Sequence, residues 1–322
     1  MDCKSLRKGE SVRPRDRRLA ERLNDRLLSF DQNKTALYGI RNDKVRAVLV
    51  EQFLESIHRI NFVRLIRQRE LSDRRADPTD EMFDPLKAAI LHQRRGNIEE
   101  AFWLVFLFVH FGKNSKGGWR YAREVYGRLG RGGEWDWASV SADPGEFRAW
   151  LDAHQGDLTR AGVPGGFGNH RKYESLNAYS RTGTGAAVES YVRWVNPPRT
   201  HFQLINEVCA LAGNNPQVAF DQLYRSMRAV TRFGRMARFD YLTMIGKLNL
   251  APIEPGFAYL QNSTGPLDGA KLLVGGRKKL STRDLEAIIV DLNGALRVGM
   301  QVMEDALCNW QKSPRRFVRF RG

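Results

Sequence analysis

Three carboxylates and three clusters of donors are the residues through which this chain could do chemistry. Glu254 lies in a loop closed by two prolines, Pro252-Ile253-Glu254-Pro255. A carboxylate so held can stabilise positive charge developing on a sugar carbon and can take a proton from attacking water. Asp268 is the second catalytic candidate, and Asp240, expected on a helix and facing solvent, is a reserve. The donors come in strings: Lys113-Asn114-Ser115-Lys116, Asn169-His170-Arg171-Lys172-Tyr173, and Arg232-Phe233-Gly234-Arg235. In the last, Gly234 lets the backbone turn sharply and approach another surface. The helix after it begins with free N–H groups and a positive dipole end, which favour an anion. With Arg232 and Arg235 on either side, a nucleic-acid phosphate is the natural guest. The plainer alternative is a helical packing unit whose arginines face water. The 169–173 string either reads a base and grips its flanking phosphates, or is a helix start capped by Asn169.

Helices must position these groups. Leu223, Met227 and Val230 fall at helical spacing, as do Phe239, Leu242, Ile245 and Leu248. A helix ending near Thr231, a tight turn and a second helix over about 236–248 are expected. One long amphipathic helix is expected over 43–70, and Pro85 marks the start of another. The run 101–111 is apolar on all sides, the pattern of a helix buried at the centre of a lobe. It ends at His110, ordinarily a satisfied core histidine in such a place. The glycine-rich loop 112–118 follows, then a helix over 119–129. The tryptophan-rich stretch 134–160 reads as core. Leu19, Leu23 and Leu27 suggest a basic N-terminal helix, or a frayed arm, within residues 1–35. A single helix is expected over 281–307, with Ser281 as N-cap and Asp284 as its acidic partner. The end, Arg315-Arg316-Phe317-Val318-Arg319-Phe320-Arg321, interleaves basic and aromatic residues as a phosphate contact does. Few period-2 runs occur, so the class is mostly or wholly α.

Lys and Arg number 52 against 36 Asp and Glu, a formal net charge of +16 over 322 residues. Such an excess points to a polyanion, because basic side chains displace counterions condensed on phosphate backbones. Cys3, Cys209 and Cys308 are scattered and form neither a disulfide framework nor a zinc pattern. No metal or cofactor is expected, and a reducing cytoplasmic compartment is the simplest assignment. No signal peptide is expected, and the apolar run is too short to span a bilayer. No P-loop, dinucleotide fingerprint or repeat is present.

The hairpin strings resemble the helix-hairpin-helix superfamily of DNA glycosylases, in which a catalytic carboxylate lies roughly 20 residues beyond the hairpin's last glycine. Glu254 stands at that offset from Gly234. The order of parts over about residues 95–275 also matches. Four strings are similar to one branch, the alpha-glutamyl/putrescinyl thymine pyrophosphorylases of hypermodified phage DNA: 108–113, 167–175, 232–235 and 264–267. The resemblance implies a two-lobed helical helix-hairpin-helix glycosylase-like fold, here without the superfamily's iron–sulfur cluster. A basic helical region over 1–90 would precede a core over 91–322, with the hairpin at 223–248. It also implies an enzyme that flips a modified base out of DNA and hydrolyses its N-glycosidic bond, in antiviral defence. Met236 stands where bifunctional members carry a lysine, so the enzyme would be monofunctional. Glu254, with Asp268 behind it, would be catalytic. His110, Asn169, His170, Lys172 and Tyr173 would form the base pocket. Lys113, Asn114, Lys116, Arg171, Arg232, Phe233, Gly234 and Arg235 would hold the DNA. Neither a membrane nor an obligate protein partner is implied. The alternatives are a transferase coupling an amine or amino acid to an activated thymine in DNA, and a non-catalytic DNA-binding protein.

Overall fold

The computed structural model describes residues 12–276 and 280–319. Among them fifteen α-helices form and no strand; the only ladder pairing is the Asn114–Gly118 bridge. The first eight helices are α1 (Arg17–Asn33), α2 (Asp43–Gln68), α3 (Pro85–Arg94), α4 (Ile98–Phe111), α5 (Arg120–Tyr126), α6 (Trp137–Ala142), α7 (Pro144–Ala153) and α8 (Gln155–Leu158). The rest are α9 (Thr184–Val195), α10 (His201–Leu211), α11 (Pro216–Ser226), α12 (Arg235–Lys247), α13 (Gly265–Val274), α14 (Thr282–Leu296) and α15 (Met300–Trp310). No helix is long and apolar enough to cross a membrane among the described residues.

The chain divides into two compact units, one built from the residues up to Phe62 and from Pro255 onward, the other from Val63–Glu254. Helix α2 runs through the first boundary.

In the first unit, Leu23, Leu27 and Phe30 of α1 share a core with Leu285, Ile289, Leu292 and Leu296 of α14. The N-terminal stretch is therefore a packed helix from Arg17 onward and not a frayed arm; residues before 12 lie outside the described part. Arg26 donates to the carbonyl of Leu296 at 2.9 Å, satisfying an orphan acceptor at the end of α14. Ser281 and Asp284 form the expected reciprocal capping box. The single helix expected over 281–307 is broken in two. Arg297 and Gly299 adopt φ of 56° and 92°, and the Asn293 side chain accepts the Gly299 N–H at 2.8 Å, which ends α14 before α15 begins. At the C-terminal tail, Phe317 packs partly against this core while Arg315 and Arg316 are exposed; Phe320 and Arg321 lie outside the described residues.

The second unit is organised on α4, whose residues 101–107 are buried on every face. Trp135, Trp137, Phe147 and Leu151 are buried as expected, and Trp103 donates its indole N–H to the Trp135 carbonyl at 2.8 Å. The helix expected over 119–129 is shorter, because a Cβ at Gly127 would meet Pro78 at 2.6 Å and Arg128, Leu129 and Gly130 all turn left-handed. A chain of polar groups runs from the partly exposed Glu99 into this core. Glu99 bonds His201 Nδ1 at 2.7 Å, His201 Nε2 bonds the Tyr191 hydroxyl at 2.7 Å, and Tyr191 bonds Tyr241 at 2.8 Å. It links α4, α10, α9 and α12, and burial holds His201 below its ordinary pKa despite the carboxylate.

Candidate active site

Helices α11 and α12 form the expected antiparallel hairpin, with Arg238 stacked over Tyr224 and Phe220 against Phe239. The strained residue of its turn is Arg232, at φ 64°, and not Gly234, whose φ of −64° any residue adopts. A Cβ at Gly234 would meet nothing within 4 Å, so the glycine opens the start of α12 and does not enforce the turn. Arg232 is held left-handed by its own side chain. The guanidinium donates to both oxygens of Glu174, at 2.7 and 3.2 Å, and to the Tyr173 carbonyl at 3.1 Å. Phe233 is buried, stacked on Phe106 at 5.0 Å. Two of the expected DNA contacts are thus an internal clamp and a core anchor.

The 164–168 segment and the 112–118 loop meet glycine to glycine, with the Asn114 side chain bridging them. A Cβ at Gly168 would lie 2.8 Å from Gly112, and one at Gly117 would lie 2.6 Å from Gly165. Asn114 shapes the loop from within: it accepts the N–H groups of Lys116 and Gly117 at 2.9 and 2.8 Å and donates to the Phe167 carbonyl at 3.1 Å. Its side chain is therefore committed to the fold, while Lys113 and Lys116 stay exposed. Asn169 caps no helix by its side chain; only a short 3-10 turn follows Gly168, and Asn169, His170, Lys172 and Tyr173 all face solvent. Arg171 does not. It is buried, donating to the Val109 carbonyl at 2.8 Å and to Asp240 at 3.2 Å.

His110 lies behind this turn. The Thr184 hydroxyl spends its proton on the Ser175 carbonyl at 2.8 Å, so His110 Nε2, 2.9 Å away, must be the donor to it. Burial, then Arg171 and Arg232, pushes the His110 pKa down to about 3. It is a buried side chain, neutral near neutral pH.

Asp240, on the first turns of α12, is where the charges converge. Burial raises its pKa from the ordinary value, against the pull of Arg171, Lys247, His170 and Arg235. Yet 45% of its side chain remains accessible. The carboxylate is thus accessible to solvent while bonded on one side to the buried Arg171 guanidinium. Lys172 and Tyr173 follow Arg171 in the turn that reaches it, and Tyr173 is 80% exposed with the Lys172 ammonium 5.0 Å from its ring centroid.

The two carboxylates preferred from the sequence lie elsewhere. Glu254 is exposed; its N–H reaches the Pro216 carbonyl at 3.4 Å and its carboxylate meets Gln217 only at 3.5 Å. That puts it at the open end of the hairpin, roughly 15 Å along α11 from the turn. Asp268 belongs to the other unit, on the first turn of α13, where it pairs with Lys271 at 3.6 Å. The signal for Asp240 was present in the sequence, since it is the one acid of an α12 that carries Arg235, Arg238 and Lys247. Among the described residues no three His, Cys, Asp or Glu side chains converge on a metal-sized site.

A family model described as alpha-glutamyl/putrescinyl thymine pyrophosphorylase clade 3 matches residues 44–322. No curated protein and no solved structure matches the chain.

Proposed function

Because the chain belongs to the alpha-glutamyl/putrescinyl thymine pyrophosphorylase family, we propose that it acts on a modified pyrimidine in DNA as a monofunctional glycosylase, with Asp240 in the role the sequence suggested for Glu254. The observation that carries this reading is the Asp240 carboxylate, reachable from solvent, bonded to the buried Arg171 at 3.2 Å and within electrostatic reach of Lys247, His170 and Arg235. Extruding a nucleotide costs a few kcal/mol of unstacking, which phosphate contacts repay. Lys113, Lys116, His170, Lys172 and Arg235 supply those contacts. Breaking the N-glycosidic bond places oxocarbenium charge on the sugar. Asp240 stabilises that charge and accepts a proton from water as it attacks, and its raised pKa improves it as a base. The product is an abasic site. The host role that follows is excision of hypermodified bases from phage genomes.

A second reading has its own support. The same cations suit an anionic leaving group on an activated thymine, with Asp240 deprotonating an incoming amine in a transferase.

One assay separates the two. Wild-type protein, Asp240→Asn and Glu254→Gln are incubated with plain DNA and with phage DNA carrying hypermodified pyrimidines, and abasic sites and base masses are measured. The reading expects abasic sites on modified DNA only, lost in Asp240→Asn and kept in Glu254→Gln. Asparagine preserves an acceptor for Arg171, and unchanged DNA binding by the variant verifies its fold. Activity surviving in Asp240→Asn refutes the assignment. A heavier thymine without abasic sites, made when an amine is supplied, establishes the transferase.

A further inference from the structure

The second unit holds a cavity of about 430 Å³ lined by Pro78, Thr79, Arg123, Glu124, Leu129, Gly130, Arg131, Asp157 and Arg160. None of these residues belongs to the Asp240 site. Three arginines face two carboxylates there, and the carboxylates are not equivalent.

Glu124 is buried and already satisfied: one oxygen accepts from Arg120 at 2.8 Å and the other from Arg160 at 2.7 Å. Arg123, 23% exposed, stands 3.9 Å from the same carboxylate, too far for a hydrogen bond. Its guanidinium therefore lines the cavity with its donors unspent on any described residue. Arg131 pairs with Asp157 at 2.9 Å, but both groups are about half exposed, and such pairs are weak and readily exchanged. Glu124 is shared by Arg120 and Arg160, and Asp80, within electrostatic reach of Arg123, is already paired with Arg74, so the cavity still carries an excess of positive charge, with Arg123 and Arg131 facing Asp157.

The backbone beside it is strained. Arg128, Leu129 and Gly130 are consecutively left-handed, at φ of 48°, 59° and 72°. Two of the three are not glycine, and such strain persists only where its surroundings enforce it, often at ligand sites. Here the Arg128 guanidinium lies 3.8 Å over the Trp135 ring, and the Trp135 backbone N–H donates to the Tyr126 carbonyl at 2.7 Å.

We infer that this cavity binds a phosphate-bearing small molecule of up to mononucleotide size. Arg123 and Arg131 would take the phosphate oxygens as planar forks, with Asp157 released from Arg131 as the anion enters. The volume lies within the range of small-ligand pockets, and arginines walling a concavity suit a compact anion end better than a continuous nucleic-acid backbone.

The test is calorimetric titration of the full chain with inorganic pyrophosphate and, separately, with an unmodified DNA duplex. Arg123→Gln should weaken pyrophosphate binding roughly tenfold or more, the loss of one charge-assisted contact. Asp157→Asn should tighten it by removing the competitor for Arg131. Duplex affinity should stay unchanged in both, and equal thermal midpoints would verify their folds. Absence of pyrophosphate binding to the wild-type chain overturns the proposal, as does equal affinity in Arg123→Gln. Loss of duplex binding without loss of pyrophosphate binding also overturns it, and would make the cavity a backbone-phosphate contact.

Discussion

Acid should unfold this protein partly through His110. Its pKa is held at about 3 in the native state by burial beside Arg171 and Arg232, against an unfolded value of about 6.5. The native state refuses a proton that the unfolded chain accepts. The corresponding stability is complete above about pH 6.5 and is lost as pH falls below it, levelling off near about pH 3. From about pH 7.5 down to about pH 5, the loss works out at roughly 2 kcal/mol. His201 is also depressed by burial and contributes with the same sign, so the wild-type slope alone does not isolate His110. The comparison must be with His110→Gln, whose amide can still donate to Thr184 but cannot titrate. Urea unfolding of both proteins at the two pH values gives a double difference. Wild type should lose about 2 kcal/mol more than the variant on acidification, although the variant starts less stable. Equal losses would mean that His110 is protonated or solvated in the native state, and its reading as a buried neutral side chain would fall.

Two further outcomes follow from the site's construction. Gly165→Ala would place a Cβ 2.0 Å from the Arg120 guanidinium, which Glu124 and the Leu158 carbonyl hold in place. The expected cost is roughly 3 kcal/mol, read from the urea midpoint, whereas Gly234→Ser adds a side chain in open space and should change stability by less than about 1 kcal/mol; equal effects would contradict the packing described. Lys113→Gln and Lys172→Gln should each lower the slope of log affinity for DNA against log salt by about 0.9, and an unchanged slope would remove that lysine from the DNA contact.

What was legible in the sequence was whatever periodicity and local chemistry determine. The run 101–111 carried enough apolar residues to specify a buried helix, the hairpin helices followed from their spacing, and Ser281 with Asp284 is a cap formed within four residues. The site was less legible because its wiring is long-range. Arg171 and Arg232 look alike as exposed basic residues until Asp240 and Glu174, 69 and 58 residues distant, are seen to accept from them. Phe233 sits between an arginine and a glycine in a polar string, and only Phe106 reveals that its ring faces the core. The offset from Gly234 drew attention to Glu254. A carboxylate's value as a base depends on enclosure and neighbouring charge, which an offset does not encode. The break at Arg297–Gly299 is not legible because two residues at positive φ interrupt a helix without disturbing the apolar spacing on either side.

The seam between the 112–118 loop and the 164–168 segment joins glycine to glycine, with the Asn114 amide supplying its side-chain bonds. A joint of this kind separates shape from grip. The path of the loop is written in main chain and in one asparagine, while Lys113, Ser115 and Lys116 hang from it exposed. Those three positions can be re-lettered without re-tooling the frame that carries them. A designer altering the loop's outer surface would randomise them and leave Gly112, Asn114, Gly117, Gly165 and Gly168 untouched.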